Sequence, residues 1–304
     1  MSGIDTQAAH LLEHTAAGSA LRDSKLKVFA RHAVVWALIV TVLLPVWFIV
    51  ASALSGTNDI LHSLLPPEWS LKNFNTLFDS TYVRYGDWAV NTLKVSFFSS
   101  GLNVLVGGFG AYAFSRLRFK GRRQVLLSLL MVQVFPSFLA LSAIYYIMTA
   151  VTNYAPSIGI GTVWSLVLVY SGGALGINAW LIKGFFDTIP RELDESAMID
   201  GANHSQIFFQ VILPLALPAL AVTFMLSFIG TMNDFILASM LLGAEPKNQT
   251  LAVGLYGFVS GNGFDQRWGP FAAGSVLAAV PVVIIFMSLQ KYIVSGLTAG
   301  SVKG

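Results

Sequence analysis

The chain has 304 residues, 55% of them apolar and only 11% charged, and its 18 Lys and Arg against 15 Asp and Glu leave a net charge of +3. Soluble domains carry about 25% charged and about 45–50% apolar residues, so this composition, with 22 Phe, excludes an ordinary soluble domain and points to the membrane. The sequence has no cysteine, which excludes disulfides, thiol catalysis and cysteine metal ligands.

Residues 1–30 are polar and read as an N-terminal tail. A hydrocarbon core about 30 Å thick requires roughly 20 apolar residues in a helix. Six stretches meet this need, at about 33–54, 90–114, 125–149, 162–182, 211–242 and 271–294. The first is too long for the apolar part of a secretory signal and no A-x-A cleavage site follows it, so a retained anchor is expected. In the second, Lys94 lies near one end, where its stem can lie in lipid while the ammonium reaches water. Gly107, Gly108 and Gly110 in "VGGFGAYAF", and Gly172, Gly173 and Gly176 in "SGGALG" of the fourth stretch, suit close helix approach, although such backbone can also line a pathway. The fifth stretch is too long for one straight crossing and carries Asn233 and Asp234, so it is expected to be tilted or broken. Ionisable groups at membrane depth are functional candidates; Asp234 either faces a wet cavity or marks that break.

Orientation follows the Lys and Arg near the span ends. Arg22, Lys25, Lys27 and Arg31 precede span one, Arg116, Arg118, Lys120, Arg122 and Arg123 crowd the 2–3 connection, and Lys183 and Arg191 lie between spans four and five. The 1–2, 3–4 and 5–6 connections are much poorer in basic residues, so both termini are expected in the cytoplasm. "RLRFKGRR" has this topological role in its plain reading, because a short turn offers too little surface for nucleic acid. The "NQT" at Asn248 reads as a chance match to a short motif.

Chemistry is hard to find. No Gly-Lys pair occurs, so a phosphate-binding G-x-x-x-x-G-K-[ST] loop is absent, and there is no H-E-x-x-H spacing and no G-x-S-x-G turn. A chain that hydrolyses no nucleotide and catalyses no covalent step is expected.

The densest acidic cluster instead falls in "IPRELDESAMIDGANHSQIFFQVILPLALP", Ile189 to Pro218, on the expected cytoplasmic side. Thr188 can cap a helix here, Pro190 fits its first turn, and Glu192, Asp194 and Glu195 favour its positive N-terminus. Ile189, Leu193 and Ala197 share one side, with Met198 and Ile199 beside them, and Gly201 ends the helix with a positive φ. A wet connector does not explain Leu193, Met198 and Ile199, whereas a partner's groove does. The expected unit is a short docking helix joined by a glycine elbow to span five.

This stretch resembles the EAA motif of ATP-binding-cassette importer permeases, E-A-A-x-x-x-G-x(9)-I-x-L-P. Glu195, Ala197, Gly201, Leu213 and Pro214 match in spacing, with Ser196 in place of the second-position Ala and Val211 in place of Ile. "AYAFSRLRFKGR" and "LLPPEWSLKNFNTLF" are similar to sugar-importer permeases, and "TLAVGLYGF" and "QKYIVSGLTAGSVKG" are similar to their maltose type. The resemblance implies an all-α polytopic membrane protein with six transmembrane helices, a type I (MetI-like) importer domain at 31–295 with its core at about 86–291, and cytoplasmic tails at 1–30 and 296–304. It implies that Glu195, Ser196, Ala197, Asp200, Gly201, Ala202 and Pro214 form a coupling helix and elbow seated in a cleft of an ATPase subunit. Thr298, Ala299, Gly300 and Val302 would belong to a tail reaching the ATPase dimer interface. Tyr256, Phe258, Asn262 and Phe264 would belong to a loop that probes the cleft of a sugar-binding protein. Asn233 and Asp234 are the candidates for the substrate path.

The implied protein is one half of an ATP-driven, binding-protein-dependent path for a maltose-, maltodextrin- or trehalose-like sugar in a bacterial or archaeal cytoplasmic membrane. Its partners would be a second, MalF-like permease subunit, two ABC ATPase subunits, an extracytoplasmic sugar-binding protein, membrane lipid and the sugar, with no nucleic acid. It would bind no cofactor or metal itself, and ATP and Mg would sit on the ATPases. The rivals are an ion-coupled secondary transporter, an intramembrane enzyme, and the same mechanism with a different sugar or a polyol.

Overall fold

A computed structural model describes residues 25–59, 61–79, 83–134, 136–243, 245–261 and 266–301. The chain is helical. In order come α1 (Lys25–Ala53), α2 (Lys72–Phe78), α3 (Tyr85–Arg116), α4 (Arg122–Val134), α5 (Ser137–Tyr154), α6 (Val163–Ser171) and α7 (Ala179–Phe186). Then follow α8 (Glu192–Ile199), α9 (His204–Leu215), α10 (Leu217–Met232), α11 (Ile236–Leu242), α12 (Leu251–Tyr256) and α13 (Trp268–Ser301). Among the described residues four helical stretches are long and apolar enough to cross a membrane: Leu26–Ala53, Tyr85–Arg116, Val163–Phe186 and Trp268–Tyr292. Two bent pairs, α4 with α5 and α9 with α10, raise that number to six if each pair is one span.

Several boundaries differ from the sequence expectation, each for a physical reason. Helix α1 begins at Lys25, inside the stretch read as a polar tail, because Lys25, Lys27 and Arg31 form turns that are helical without being apolar. The stretch expected as the third span is two helices on either side of Pro136, which caps the second with extended backbone (ψ 115°). The long fifth stretch is indeed broken: α10 ends at Asn233 and α11 starts after Phe235. Its lower part also bends by 76° between α9 and α10, at Ala216, where Pro214 and Pro218 interrupt the backbone ladder.

Helix α3 is the axis of the bundle. Its 32 residues span about 48 Å at 1.5 Å per residue. Its buried stripe includes Thr92, Ser96, Ser99, Ser100, Asn103, Gly107, Gly108 and Ala111, small side chains that let other helices approach. Gly107 and Gly110 meet the α6–α7 junction: a Cβ on Gly107 would lie 3.1 Å from the Ala174 carbonyl, and one on Gly110 2.6 Å from Leu175 Cδ2. The junction itself is a π-type turn at Ala174–Asn178 in which Gly176 leaves helical geometry (φ −80°, ψ −127°). A Cβ there would sit 1.8 Å from Gln133 Nε2 of α4, so the packing reading of these glycines holds at Gly107, Gly110 and Gly176.

The two ends of α3 are riveted differently. At the Tyr85 end, Tyr85 Oη donates to the Gly274 carbonyl (2.8 Å) and Trp88 Nε1 to that of Pro246 (2.6 Å). Asn91 donates to the Lys247 carbonyl (2.8 Å), and Thr92 Oγ1 accepts from the Leu251 amide (2.7 Å). Helix α12, unexpected inside the 5–6 connection, packs so closely that a Cβ on Gly254 would be 2.3 Å from the Trp88 ring. Asn73 of α2 is fully buried and donates to the Ser55 carbonyl just past α1 (2.7 Å) and to the Ser52 carbonyl in its last turn (3.2 Å), tying the 1–2 connection to α1. Asn248, the motif residue, simply donates to the Gly161 carbonyl (2.9 Å). The Arg116 end carries α8.

Candidate functional site

Helix α8 forms where the sequence places it, with Glu192, Asp194 and Glu195 in its first turn against the positive helix end. Thr188 does not cap it. Its hydroxyl donates to the Phe185 carbonyl (2.7 Å), closing off α7 instead, and Arg191 holds the N-cap position. The other end is a Schellman turn: the Ala202 amide donates to the Ala197 carbonyl (2.9 Å) and the Gly201 amide to that of Met198 (3.0 Å). Gly201 has φ 86°, as expected from sequence.

The elbow leads into α9 through a capping box. Asn203 Oδ1 accepts from the Gln206 amide (2.9 Å), and Gln206 Oε1 accepts from the Asn203 amide (2.8 Å). Beyond it Ile207–Ile212 widens into a π-helical stretch just before Pro214, whose missing N–H and bulky ring disturb the ladder in this turn.

Placement of the coupling candidates is uneven. Glu195, Ser196, Asp200, Gly201 and Pro214 are exposed, while Ala197 and Ala202 are half-buried against the cluster of Ile182, Phe186, Ile207 and Phe208. Ile189 is buried. Leu193 and Met198 remain 42% and 47% exposed and Ile199 88% exposed, an apolar ridge that nothing among the described residues covers.

Sequence reasoning missed what holds α8 in place. Asp194 is buried, and its Oδ2 lies 2.7 Å from Arg116 Nε, an ion pair whose two side chains are only 10% and 6% exposed. Arg116 Nη2 also donates to the Ile189 carbonyl (2.8 Å), and Arg191 Nη2 donates to the Ser115 carbonyl (3.2 Å). The Ser115 hydroxyl donates to Asp187 Oδ1 (2.6 Å), and Asp187 is paired with Lys183. Burial pushes the Asp194 carboxyl above the usual carboxylate range, against the pull of Arg116 and Arg191. Burial also acts upward on Asp187, but the bonds from Lys183 and Ser115, with the charges of Lys183 and Arg122, outweigh it and hold that carboxyl low. The one sequence signal was the density of charge at both sites in a charge-poor chain.

The other candidates are scattered. An open cavity of about 590 Å³ lies between α10, α12 and α13, lined by Asn233, Phe235, Tyr256, Phe271 and Ser275 among aliphatic side chains. Asn233 faces it while its Nδ2 donates to the Ile229 carbonyl (3.0 Å). Asp234 serves the backbone, since its Oδ1 accepts from the Leu237 amide (2.9 Å) and so starts α11 after the break. In the 5–6 loop Tyr256 is half-exposed, but Phe258 is a core residue, packed edge-on to Trp88 and beneath the Arg267 guanidinium. Asn262 and Phe264 lie outside the described residues. At the C-terminus α13 continues through Ser301, so Thr298, Ala299 and Gly300 are helical rather than in a loose tail, and Val302 lies outside the described residues. No group of three or more His, Asp or Glu able to hold a metal occurs among the described residues.

Comparison with known proteins places this geometry. The family model for the binding-protein-dependent transport system inner membrane component matches residues 103–299, which include α8 and its elbow. The galactooligosaccharides transport system permease protein GanQ of Bacillus subtilis is 42% identical over 260 residues, covering 85% of this chain and 89% of that protein. The maltose/maltodextrin transport system permease protein MalG of Vibrio vulnificus is 38% identical over 294 residues, covering 93% of this chain and 98% of that one. Among solved structures, a chain of a bacterial ABC transporter involved in the import of the acidic polysaccharide alginate superposes with TM-score 0.73 at 21% identity, over 89% of this chain and 98% of that one, which shows the same fold.

Proposed function

Because the chain belongs to the family of binding-protein-dependent transport system inner membrane components, we propose that it is the permease subunit through which a sugar importer is driven by ATP. Relatives named for maltodextrin and galactooligosaccharide transport, matching 85–93% of the chain, support a neutral di- or oligosaccharide as cargo. Trehalose belongs to the same chemical class. The chain supplies one half of a six-span translocation path, with a second permease subunit as the other half and both termini in the cytoplasm. Two ATPase subunits carry the ATP and Mg, and an extracytoplasmic binding protein delivers the sugar. Closure of the ATPases on ATP moves α8, the spans reorient, and hydrolysis resets them.

The observation that carries this reading is the bare ridge of Leu193, Met198 and Ile199 on a helix whose other side is anchored in the bundle. A ridge of this kind fits a hydrophobic groove on a partner. Tyr256 and the segment after it, at the opposite end of α3, would meet the binding protein. Asn233, in the cavity beside α12, would face the sugar. An ion-driven carrier fits less well: the pairs Arg84–Asp87, Arg116–Asp194 and Lys183–Asp187 all sit at helix ends, not near the midplane where such a carrier needs them.

The chain has no cysteine of its own, so a single cysteine at Met198 is a clean probe. In the assembled importer it is expected to crosslink to the ATPase subunit. Failure to capture that subunit in an intact complex overturns the coupling role of α8.

A further inference from the structure

The coupling reading leaves open which span receives the movement of α8. Chain order suggests span five, reached through the Gly201 elbow. The geometry adds a second route: we infer that Arg116 and Asp194 are positioning residues that hang α8 from the end of α3, so that its displacement is delivered to the second span as well as through the elbow to the fifth.

Three kinds of observation carry this. The Arg116–Asp194 pair is shielded from water on both sides (6% and 10% exposed), so it is neither screened nor replaced by solvent as a surface pair is. It is also multiply braced. Arg116 holds the Ile189 carbonyl ahead of α8, Arg191 holds the Ser115 carbonyl, Ser115 holds Asp187, and Tyr112 Oη donates to the His204 carbonyl (3.3 Å) just beyond the elbow. These links join the last turns of α3 to the segment 187–204 on both sides of α8. Gly201 itself has room, with no heavy atom within 4 Å of where a Cβ would be, but the Ala202–Ala197 and Gly201–Met198 bonds close the turn, so the elbow also ties α8 to α9. Finally, α3 runs on along the bundle axis with its stripe of small residues, while Tyr112 and Phe109 pack against Phe208 of α9 (ring centroids 5.1 Å apart in each case) and so tie the two spans to each other.

The pair is intolerant of half-measures. Asp194 Oδ1 and Arg116 Nε are both buried without a hydrogen-bond partner, so the carboxylate is supported chiefly by the charge of Arg116 beside it. Removing either partner leaves the other buried and uncompensated, whereas exchanging them preserves the charge balance. Arg116 also belongs to the basic cluster of the 2–3 connection, but its side chain, unlike a surface cation, is buried against Asp194.

The inference rests on the coupling reading, and the test separates the two. The complete importer, with both permease subunits, the ATPases and the binding protein, is reconstituted in vesicles carrying Arg116→Gln, Asp194→Asn or the exchange Arg116→Asp/Asp194→Arg. Each version also bears the cysteine at Met198. Sugar taken up per ATP hydrolysed and crosslinking to the ATPase are both measured. In the single variants the crosslink is expected to persist while uptake per ATP falls by about tenfold or more, the consequence of stranding a buried charge. The exchange is expected to recover most of that ratio, within about threefold of the parent, since it restores the pairing. Single variants that crosslink normally and keep the parental uptake per ATP overturn the inference. If the single variants fail to assemble, the exchange decides: an assembled, coupled exchange supports the strut, and an assembled but uncoupled one refutes it. Loss of the crosslink in the parent complex instead overturns the coupling reading itself.

Discussion

Gly201 and Asp194 sit seven residues apart and show two kinds of constraint. At Gly201 the constraint is the backbone: φ 86° with open space around the Cα. A β-branched residue is a genuine outlier in that region, and the left-handed conformation costs roughly 1–2 kcal/mol for ordinary L-residues. Gly201→Val is therefore expected to leave the chain in the membrane and to abolish most uptake by re-aiming α8. Parental uptake at equal membrane level would show that the elbow angle is immaterial. At Asp194 the constraint is tertiary. Its acidity looked like a simple preference for a helix N-terminus, because a sequence shows the local dipole and not the guanidinium that folds back from the end of α3. The place of Phe258 was hidden for a related reason: in a loop otherwise rich in Gly and polar residues, nothing in the sequence shows its contacts with the Trp88 ring and Arg267.

At the scale of elements, the spans were legible because lipid imposes a length on apolar helices, and the break in the fifth was legible because Asn233 and Asp234 are costly in a continuous one. The α4–α5 division was not, since Val134 and the apolar residues of α5 continue the hydropathy signal across Pro136. Helix α12 escaped notice too. It is only six residues long and is stabilised by packing on Trp88 and by the Thr92 hydroxyl, neither visible in local periodicity. This element gives a direct test of close approach. Gly254→Val drives a side chain into the Trp88 ring, and overpacking of this kind costs about 1–3 kcal/mol. A lowered unfolding temperature of the solubilised protein is expected, and an unchanged one would mean that α12 can lift away from α3 without penalty.

On the scale of the whole molecule, the two proposed interaction faces lie at the Tyr85 and Arg116 ends of α3. The proposed orientation puts the basic turn 118–123 and α8 inside, and the connections containing Ser70 and Lys247 outside. In intact cells an impermeant thiol reagent is expected to label single cysteines at Ser70 and Lys247, while those at Lys120 and Asp200 react only after the membrane is opened. The reverse pattern would invert the topology. The family match starts at residue 103, so α1 and the upper part of α3 lie outside it. Consistent with a peripheral place, the apolar window of α1 has none of its residues buried. Its surface is turned to lipid or to the second permease subunit.

The bare ridge of α8 has a price in the life of the cell. Leu193, Met198 and Ile199 stand ready for a groove before any groove arrives, and greasy side chains left in water attract chaperones, proteases and one another. On the proposed docking, a cell that made this subunit faster than its motor would accumulate adhesive orphans, so matched synthesis of the two would be a demand written into the eight residues of one short helix.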